Sequence, residues 1–129
     1  MQAKKRVQYR LEYPIKASLQ LLYSYISTPE GLSEWFADSV DPIKNDEYVF
    51  KWQGSQQTAR ILKIHPNKNI RYQWEEGPKD EYFELGIIQD DLTGDVAMVI
   101  EDFSSPEDLK ESEMLWESQV HHLKEIIGG

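Results

Sequence analysis

Apolar and polar residues alternate with a period of two through most of the chain. Where an apolar side chain occupies every second position, one face of the segment points to a common interior, which is the pattern of a half-buried strand. The pattern predicts strands over residues 6–13, 48–52, 58–64, 70–74, 83–87 and 95–103, the first of them ended by Pro14. Turns rich in Gly, Pro, Asn and Asp separate the later strands, so we expect antiparallel hairpins.

Two short segments after the first strand have the 3.6-residue period of a helix instead. Ser18 is a suitable N-cap for the first helix. Thr28 is a suitable N-cap for the second, and Pro29 fits its first helical position. The apolar faces consist of Leu19, Leu22, Tyr23 and Ile26 in the first helix and of Leu32, Trp35 and Phe36 in the second.

A third helix is predicted at the end of the chain. Ser105 is a suitable N-cap, Pro106 fits the first helical position, and two acids follow in the first turn. The helix runs to about Ile127, which makes it roughly 30 Å long at 1.5 Å per residue. Its apolar stripe consists of Leu109, Ser112, Trp116, Val120, Leu123 and Ile127.

The order of elements predicts an α+β fold with one domain over residues 1–129. We expect a strongly curved antiparallel sheet of about six to seven strands wrapped around the long C-terminal helix, because a twisted sheet needs an element that covers its concave face. The two short helices close one end.

The inward phase of the last strand stays open, because both of its faces are apolar. The two alternatives for the inward set are Val96, Met98 and Ile100, or Ala97, Val99 and Glu101.

Charge and composition limit the possible binding partners, chemical sites and location of the protein. The net charge of −9 disfavours nucleic acid and anionic membrane surfaces. The absence of cysteine excludes disulfides, thiolate metal sites and a cysteine nucleophile. The first residues lack the apolar stretch of a signal peptide, and no apolar run is long enough to insert stably into a membrane, so we expect a cytoplasmic protein.

No catalytic constellation, cofactor motif or metal-site spacing is found. His65 lies at a predicted strand end, and His121 and His122 are neighbours on the last helix, so they cannot both face inward. Glu101 and Asp102 point to opposite faces of a strand, so either one of them faces the interior or both lie at a solvated strand end. Arg60 is expected to face solvent rather than the interior. We therefore predict no catalytic residue, no cofactor and no metal.

Four stretches together resemble the START/Bet v 1 superfamily of helix-grip domains over essentially the whole chain. They are "STPEGLSEWFAD", "ARILKIHPNKNIRYQW", "LTGDVAMVIEDF" and "LWESQVHHLKEIIGG". The similarity is to the bacterial START-like branch, near the homologues of the chaperone-ATPase activator. The resemblance implies a helix-grip fold with a cavity between the sheet and the long helix.

Within that cavity the inward aromatic and apolar positions are the candidate ligand contacts, and the alternative for each is plain core. The set consists of Trp35, Phe36, Tyr48, Phe50, Trp52, Tyr72, Trp74, Phe83, Leu85, Met98, Trp116 and Val120. Adjacent helical residues differ in direction by about 100°, so we expect Phe36 to serve packing and Trp35 to face the cavity.

The predicted function is non-enzymatic binding of a small apolar or amphipathic molecule, lipid-like or aromatic, by a monomer. A protein-interaction domain of the co-chaperone type is one alternative, and it predicts an exposed apolar patch at Trp35 and Phe36. A cyclase- or hydratase-type enzyme is the other, and it requires a titratable group inside the cavity.

Overall fold

The computed structural model describes residues 5–128, and it contains one antiparallel sheet of seven strands. The strands are β1 (Val7–Ile15), β2 (Ser39–Lys44), β3 (Glu47–Trp52), β4 (Ser55–His65), β5 (Asn69–Trp74), β6 (Phe83–Gln89) and β7 (Val96–Ser104). The helices are α1 (Leu19–Ser27), α2 (Pro29–Trp35) and α3 (Leu109–Ile127). The predicted α+β architecture, with two short helices after the first strand and a long C-terminal helix, is confirmed.

The strand order is β1-β7-β6-β5-β4-β3-β2, so the sheet is open and β1 and β2 are its edges. Strands β2 to β7 follow one another as hairpins. β1 pairs instead with β7, at the far edge from β2. The helical pair α1 and α2 therefore carries the chain from one edge of the sheet to the other.

One face of the sheet and the buried stripe of α3 form the core. The α3 stripe centres on Trp116, Val120 and Leu123. The sheet contributes Ile70, Tyr72, Phe83, Leu85, Met98 and Ile100, all of which are at most 1% exposed. The inward phase of β7 is thus the one with Val96, Met98 and Ile100. Val99 is also buried, on the other face, which explains why periodicity alone left the phase open.

The predicted caps of the two short helices are confirmed, whereas α3 begins later than predicted. Ser18 accepts a hydrogen bond from the Leu21 amide, and Thr28 accepts one from the Gly31 amide. α3 begins at Leu109 rather than next to Ser105, because residues 105–108 form a separate turn. In that turn the Ser105 hydroxyl donates to Asp108 Oδ2, so the Asp108 carboxylate makes no capping hydrogen bond to α3.

Pro14 does not end the first strand, which continues to Ile15. β1 is an edge strand that pairs only with β7, with Pro14 opposite Ala97. An edge strand tolerates proline because one side of the strand has no neighbouring strand. A residue whose N–H would point to that side makes no ladder hydrogen bond, so the missing N–H of proline costs none. Within residues 5–128, no helix combines the length and the apolar character that a membrane crossing requires.

Candidate functional site

A recess of about 480 Å³ lies between the sheet and the N-terminal half of α3, and we call it the aromatic recess. It is open to solvent. Its lining consists of Tyr9, Phe36, Trp52, Ser55, Gln57, Trp74, Phe83, Asp102, Ser112, Leu115, Trp116 and Gln119. A second recess of about 520 Å³ adjoins it and shares Ser55, Gln57, Trp74 and Asp102 with it.

The strand register brings together the sheet residues that line the aromatic recess, and these residues lie at the ends of neighbouring strands. Trp52 ends β3 and pairs with Ser55 at the start of β4. Trp74 ends β5, and Phe83 begins β6 directly beside Tyr72. Because the side chains on one face repeat every second residue, these ends all present the same face to α3.

The walls of the recess are aromatic rings packed around Phe36. The Phe36 ring lies nearly parallel to the rings of Trp74, Phe83 and Trp116, with centroid distances of 6.5, 5.7 and 5.5 Å. It meets Trp52 edge to face at 5.8 Å. Such offset and edge-to-face pairs stabilise aromatic clusters beyond their buried area.

The roles predicted for Trp35 and Phe36 are reversed in the structure. Phe36 lines the aromatic recess, whereas Trp35 does not and packs against α1, where its indole N–H donates to the Tyr25 carbonyl at 2.8 Å. A buried indole needs an acceptor, and the end of α1 supplies one. The side chains of Trp35 and Phe36 are only 4% and 5% exposed. The prediction of an exposed apolar patch at these two residues, which the co-chaperone alternative makes, is therefore also wrong.

Side chains cap all four C-terminal carbonyl groups of α1, which have no partner within the helix. The Thr28 hydroxyl donates to the Ser24 carbonyl at 2.7 Å, and Trp35 donates to Tyr25. Two further donors are Tyr72, whose hydroxyl lies 2.8 Å from the Ile26 carbonyl, and Tyr48, whose hydroxyl lies 3.2 Å from the Ser27 carbonyl. Burial raises the pKa values of both tyrosines.

The twelve predicted contact residues thus occupy three places. Five border the aromatic recess: Phe36, Trp52, Trp74, Phe83 and Trp116. Three serve as donors to the end of α1: Trp35, Tyr48 and Tyr72. The other four are fully enclosed in the core away from the recess: Phe50, Leu85, Met98 and Val120. Whether the five bind a ligand stays a prediction.

Of the residues that the structure describes, Asp102 supplies the one carboxylate on the lining of the aromatic recess. It shares the inward phase of Met98 and Ile100, and its Oδ2 accepts from Trp116 Nε1 at 3.1 Å and from the Tyr9 hydroxyl at 3.4 Å. Its Oδ1 accepts from the Phe103 amide at 2.8 Å. Burial raises the pKa of Asp102 above its usual range, although these hydrogen bonds act in the opposite direction.

Tyr9 and Gln119 also line the recess, and sequence reasoning missed both. Tyr9 lies opposite Asp102 in the β1–β7 register, and burial raises the pKa of its hydroxyl, with the Asp102 charge contributing. Gln119 donates to the Phe36 carbonyl at 3.1 Å, which ties α3 to the end of α2. The alternation of Val7, Tyr9 and Leu11 already indicated an inward Tyr9, whereas nothing local marked Gln119.

The remaining candidates lie on the outside. His65, His121 and His122 are exposed, and Arg60 is exposed on the outer face of the sheet, beside Glu47 and Glu75. Glu101 points to the face opposite Asp102. Among residues 5–128, no three His, Asp or Glu side chains converge in a way that could hold a metal ion.

The model of the START-like superfamily domain matches residues 1–129. The chain belongs to the START-like superfamily. No protein with a curated description matches it. A solved relative, BfR322 from Bacteroides fragilis, is 35% identical; the match covers 95% of this chain and 92% of that one, with a TM-score of 0.67.

Two more distant solved structures share the fold. The Aha1 dimer from Colwellia psychrerythraea is 17% identical, with a TM-score of 0.75 and coverage of 92% of this chain and 93% of that one. DynU16, a protein in the dynemicin biosynthetic locus, is 11% identical, with a TM-score of 0.78; the match covers 94% of this chain and 47% of that one. At these identities the likeness concerns the fold alone.

Proposed function

We propose that this START-like domain binds one small apolar or amphipathic molecule in the aromatic recess and does not transform it. The observation that carries the proposal is the recess itself, where six aromatic side chains form the walls and the Asp102 carboxylate provides a polar end. The volume of about 480 Å³ lies within the range of small-molecule sites, which runs from roughly 300 to 1,000 Å³.

The polar groups of the tryptophan side chains support the proposal that the recess walls bind an apolar molecule. The indole N–H groups of Trp52 and Trp116 are bound to protein acceptors, the Phe36 carbonyl and Asp102. These rings therefore offer a ligand their apolar surfaces, while hydrogen bonds hold them in place before binding. A pre-organised wall reduces the entropy lost on binding.

A fluorescent titration tests the proposal. N-phenyl-1-naphthylamine is uncharged and emits more strongly in apolar surroundings, so we expect saturable enhancement with one site per chain. Fatty acids, sterols, flavonoids and polyketide-like aromatics then compete for the site. If no compound binds, the proposal is refuted.

The chain offers a matched pair of variants that locates the binding site. Leu115 and Met114 are neighbours on α3 and are 62% and 60% exposed, but only Leu115 lines the recess. Leu115→Glu should weaken N-phenyl-1-naphthylamine binding by roughly fivefold, since about 1 kcal/mol of apolar contact is lost. Met114→Glu adds the same charge and should leave binding unchanged. Equal effects of both variants would place the site elsewhere.

A cyclase- or hydratase-type enzyme is a second candidate, favoured by Asp102. This alternative requires a titratable group in the recess, and Asp102 is such a group. Product analysis of the bound compounds separates the two functions. If the unaltered protein converts a bound compound and Asp102→Asn does not, the domain is an enzyme. If every bound compound is recovered unchanged, the result supports binding without catalysis.

Two further expectations accompany the proposal, namely a monomer and a cytoplasmic location. The monomer is supported by the apolar stripe of α3, whose central residues Trp116, Val120 and Leu123 are buried within the chain itself. Light scattering after gel filtration measures the mass, and fractionation of native cells locates the protein.

A further inference from the structure

Within the described part of the chain, the donors that hold the Asp102 carboxylate in the aromatic recess are all uncharged. The amide of Phe103, the indole of Trp116 and the hydroxyl of Tyr9 supply them. Among residues 5–128, no Lys, Arg or His nitrogen lies within 4.0 Å of this carboxylate. A partly buried carboxylate of this kind has lost hydration without gaining an ion pair.

Among the described residues that line the adjoining recess, the one cation is already paired with a carboxylate. Arg6 lines the adjoining recess, but its guanidinium makes two hydrogen bonds of 2.8 and 2.9 Å to the Glu81 carboxylate. Because this pair is neutral as a unit, the net charge of the lining next to Asp102 stays negative. A carboxylate has about four lone-pair sites, and Asp102 Oδ1 accepts only from Phe103, so Oδ1 retains acceptor capacity.

The ring faces beside Asp102 are suited to the same kind of charge. Trp52 and Trp74 are only partly buried, so part of each ring is open to a ligand in the recess. Phe36 and Trp116 are 5% and 6% exposed and stack on each other at 22°, so they form the closed side of the wall. The face of an aromatic ring attracts cations, Trp most strongly. The protein as a whole carries −9, which favours the approach of a cation over that of an anion.

We propose that the ligand of the aromatic recess is an aromatic or amphipathic amine, whose ammonium group pairs with Asp102 while its apolar body lies against the ring faces. This inference rests on the proposed function, since it names the ligand class of the same recess. The ammonium donates to Oδ1, which restores to the carboxylate the stabilisation that burial removed. A carboxylate ligand is repelled at the same position.

Three probes with one apolar body test the charge preference. Calorimetric titrations at pH 7.5 compare naphthalen-2-ylmethylamine, which is cationic, with naphthalen-2-ylmethanol, which is neutral, and with 2-naphthoate, which is anionic. A charge-assisted hydrogen bond and a cation–π contact together predict at least about tenfold tighter binding of the amine than of the alcohol. The anion should bind most weakly. Equal affinity for amine and alcohol overturns the proposal.

Two neighbouring acids provide the variant and its control. Asp102→Asn should reduce the amine preference to under about twofold, because an amide offers no net charge to the ammonium. Glu101→Gln removes one negative charge from the opposite face of β7 and should keep the preference. A preference that survives in Asp102→Asn, or disappears in Glu101→Gln, overturns the assignment to Asp102.

A measurement on the unaltered protein covers the case in which Asp102→Asn does not fold. The carboxyl carbon of Asp102 is followed by NMR as the pH changes, with amine or alcohol at saturation. The bound amine should lower the pKa of Asp102, and the bound alcohol should not. The other titratable groups that act on Asp102 are Tyr9, Arg6 and Glu81, which are the same in both titrations. An unchanged pKa with bound amine refutes the pairing.

The outcomes separate this inference from the proposed function. If the alcohol binds and the amine shows no preference, the domain still binds apolar molecules and only the ligand class is wrong. If neither the naphthalenes nor N-phenyl-1-naphthylamine binds, the proposed function itself is wrong.

Discussion

Removing one hydroxyl from the core should weaken the whole domain, because Tyr72 caps the buried end of α1. The Tyr72 side chain is 0% exposed, and its hydroxyl donates to the carbonyl of Ile26, a residue that is also 0% exposed. In Tyr72→Phe the ring remains, so packing is nearly unchanged. The Ile26 carbonyl is left without a donor, and water has no access to replace it.

The expected cost follows from this burial. An unsatisfied buried acceptor costs about 1–3 kcal/mol, whereas a hydrogen bond that water can replace contributes about 0.5–1.5 kcal/mol. Tyr48 supplies the matched control, because its hydroxyl caps the next carbonyl, that of Ser27, from a partly exposed position. We therefore expect about 2 kcal/mol for Tyr72→Phe and less than about 1 kcal/mol for Tyr48→Phe.

Urea unfolding followed by circular dichroism measures both variants. A loss of about 2 kcal/mol corresponds to a decrease in Tm of roughly 7 °C for a chain of this size. The slope of the transition should not change, since the surface exposed on unfolding is the same. The capping argument is refuted if Tyr72→Phe costs no more than Tyr48→Phe. Neither tyrosine lines the aromatic recess, so the ligand titrations should be unaffected.

Two further predictions concern the helical pair and the recess carboxylate. A Cβ on Gly31 would lie 2.2 Å from the Ser24 carbonyl oxygen, so Gly31→Ala should cost about 2 kcal/mol or more in the same urea assay. A cost near zero would show that α1 and α2 can move apart freely. Burial raises the pKa of Asp102 above 3.8, so the folded protein binds the proton of the Asp102 carboxyl group more tightly than the unfolded chain does. The protonated carboxyl group therefore stabilises the folded state, and this stabilisation is lost as the pH rises through the folded-state pKa. Asp102→Asn should therefore gain stability relative to the unaltered protein as the pH rises above about 4, and a difference that does not change with pH would contradict the shift.

Local patterns predicted the elements well where one short-range preference dominates. Thr28 and Pro29 marked the start of α2, and both occupy the predicted positions. The start of α3 was missed because Ser105 and Asp108 bond to each other, a choice between two local hydrogen-bond partners that the sequence leaves open. The inward phase of β7 stays open in the sequence because Val99, on the face away from the core, is buried as well.

The candidate site was less accessible to sequence reasoning than the fold. Alternation placed Trp52, Trp74 and Phe83 on the inner face, where they border the recess. The same alternation also selected Phe50 and Met98, which are enclosed in the core. Periodicity identifies the face of a strand, but it does not indicate how far α3 extends over that face.

By itself the sequence determined that this chain forms hairpins, two capped helices and a long amphipathic helix, because each of these depends on neighbours within a few residues. Only the tertiary structure decided that Phe36 rather than Trp35 lines the recess, since that choice depends on the distant carbonyl groups of α1. The same holds for Asp102, whose recess is built by residues from both ends of the chain, Tyr9 and Trp116. A short-range pattern carries no information about such contacts, because they form only when the sheet and α3 pack together.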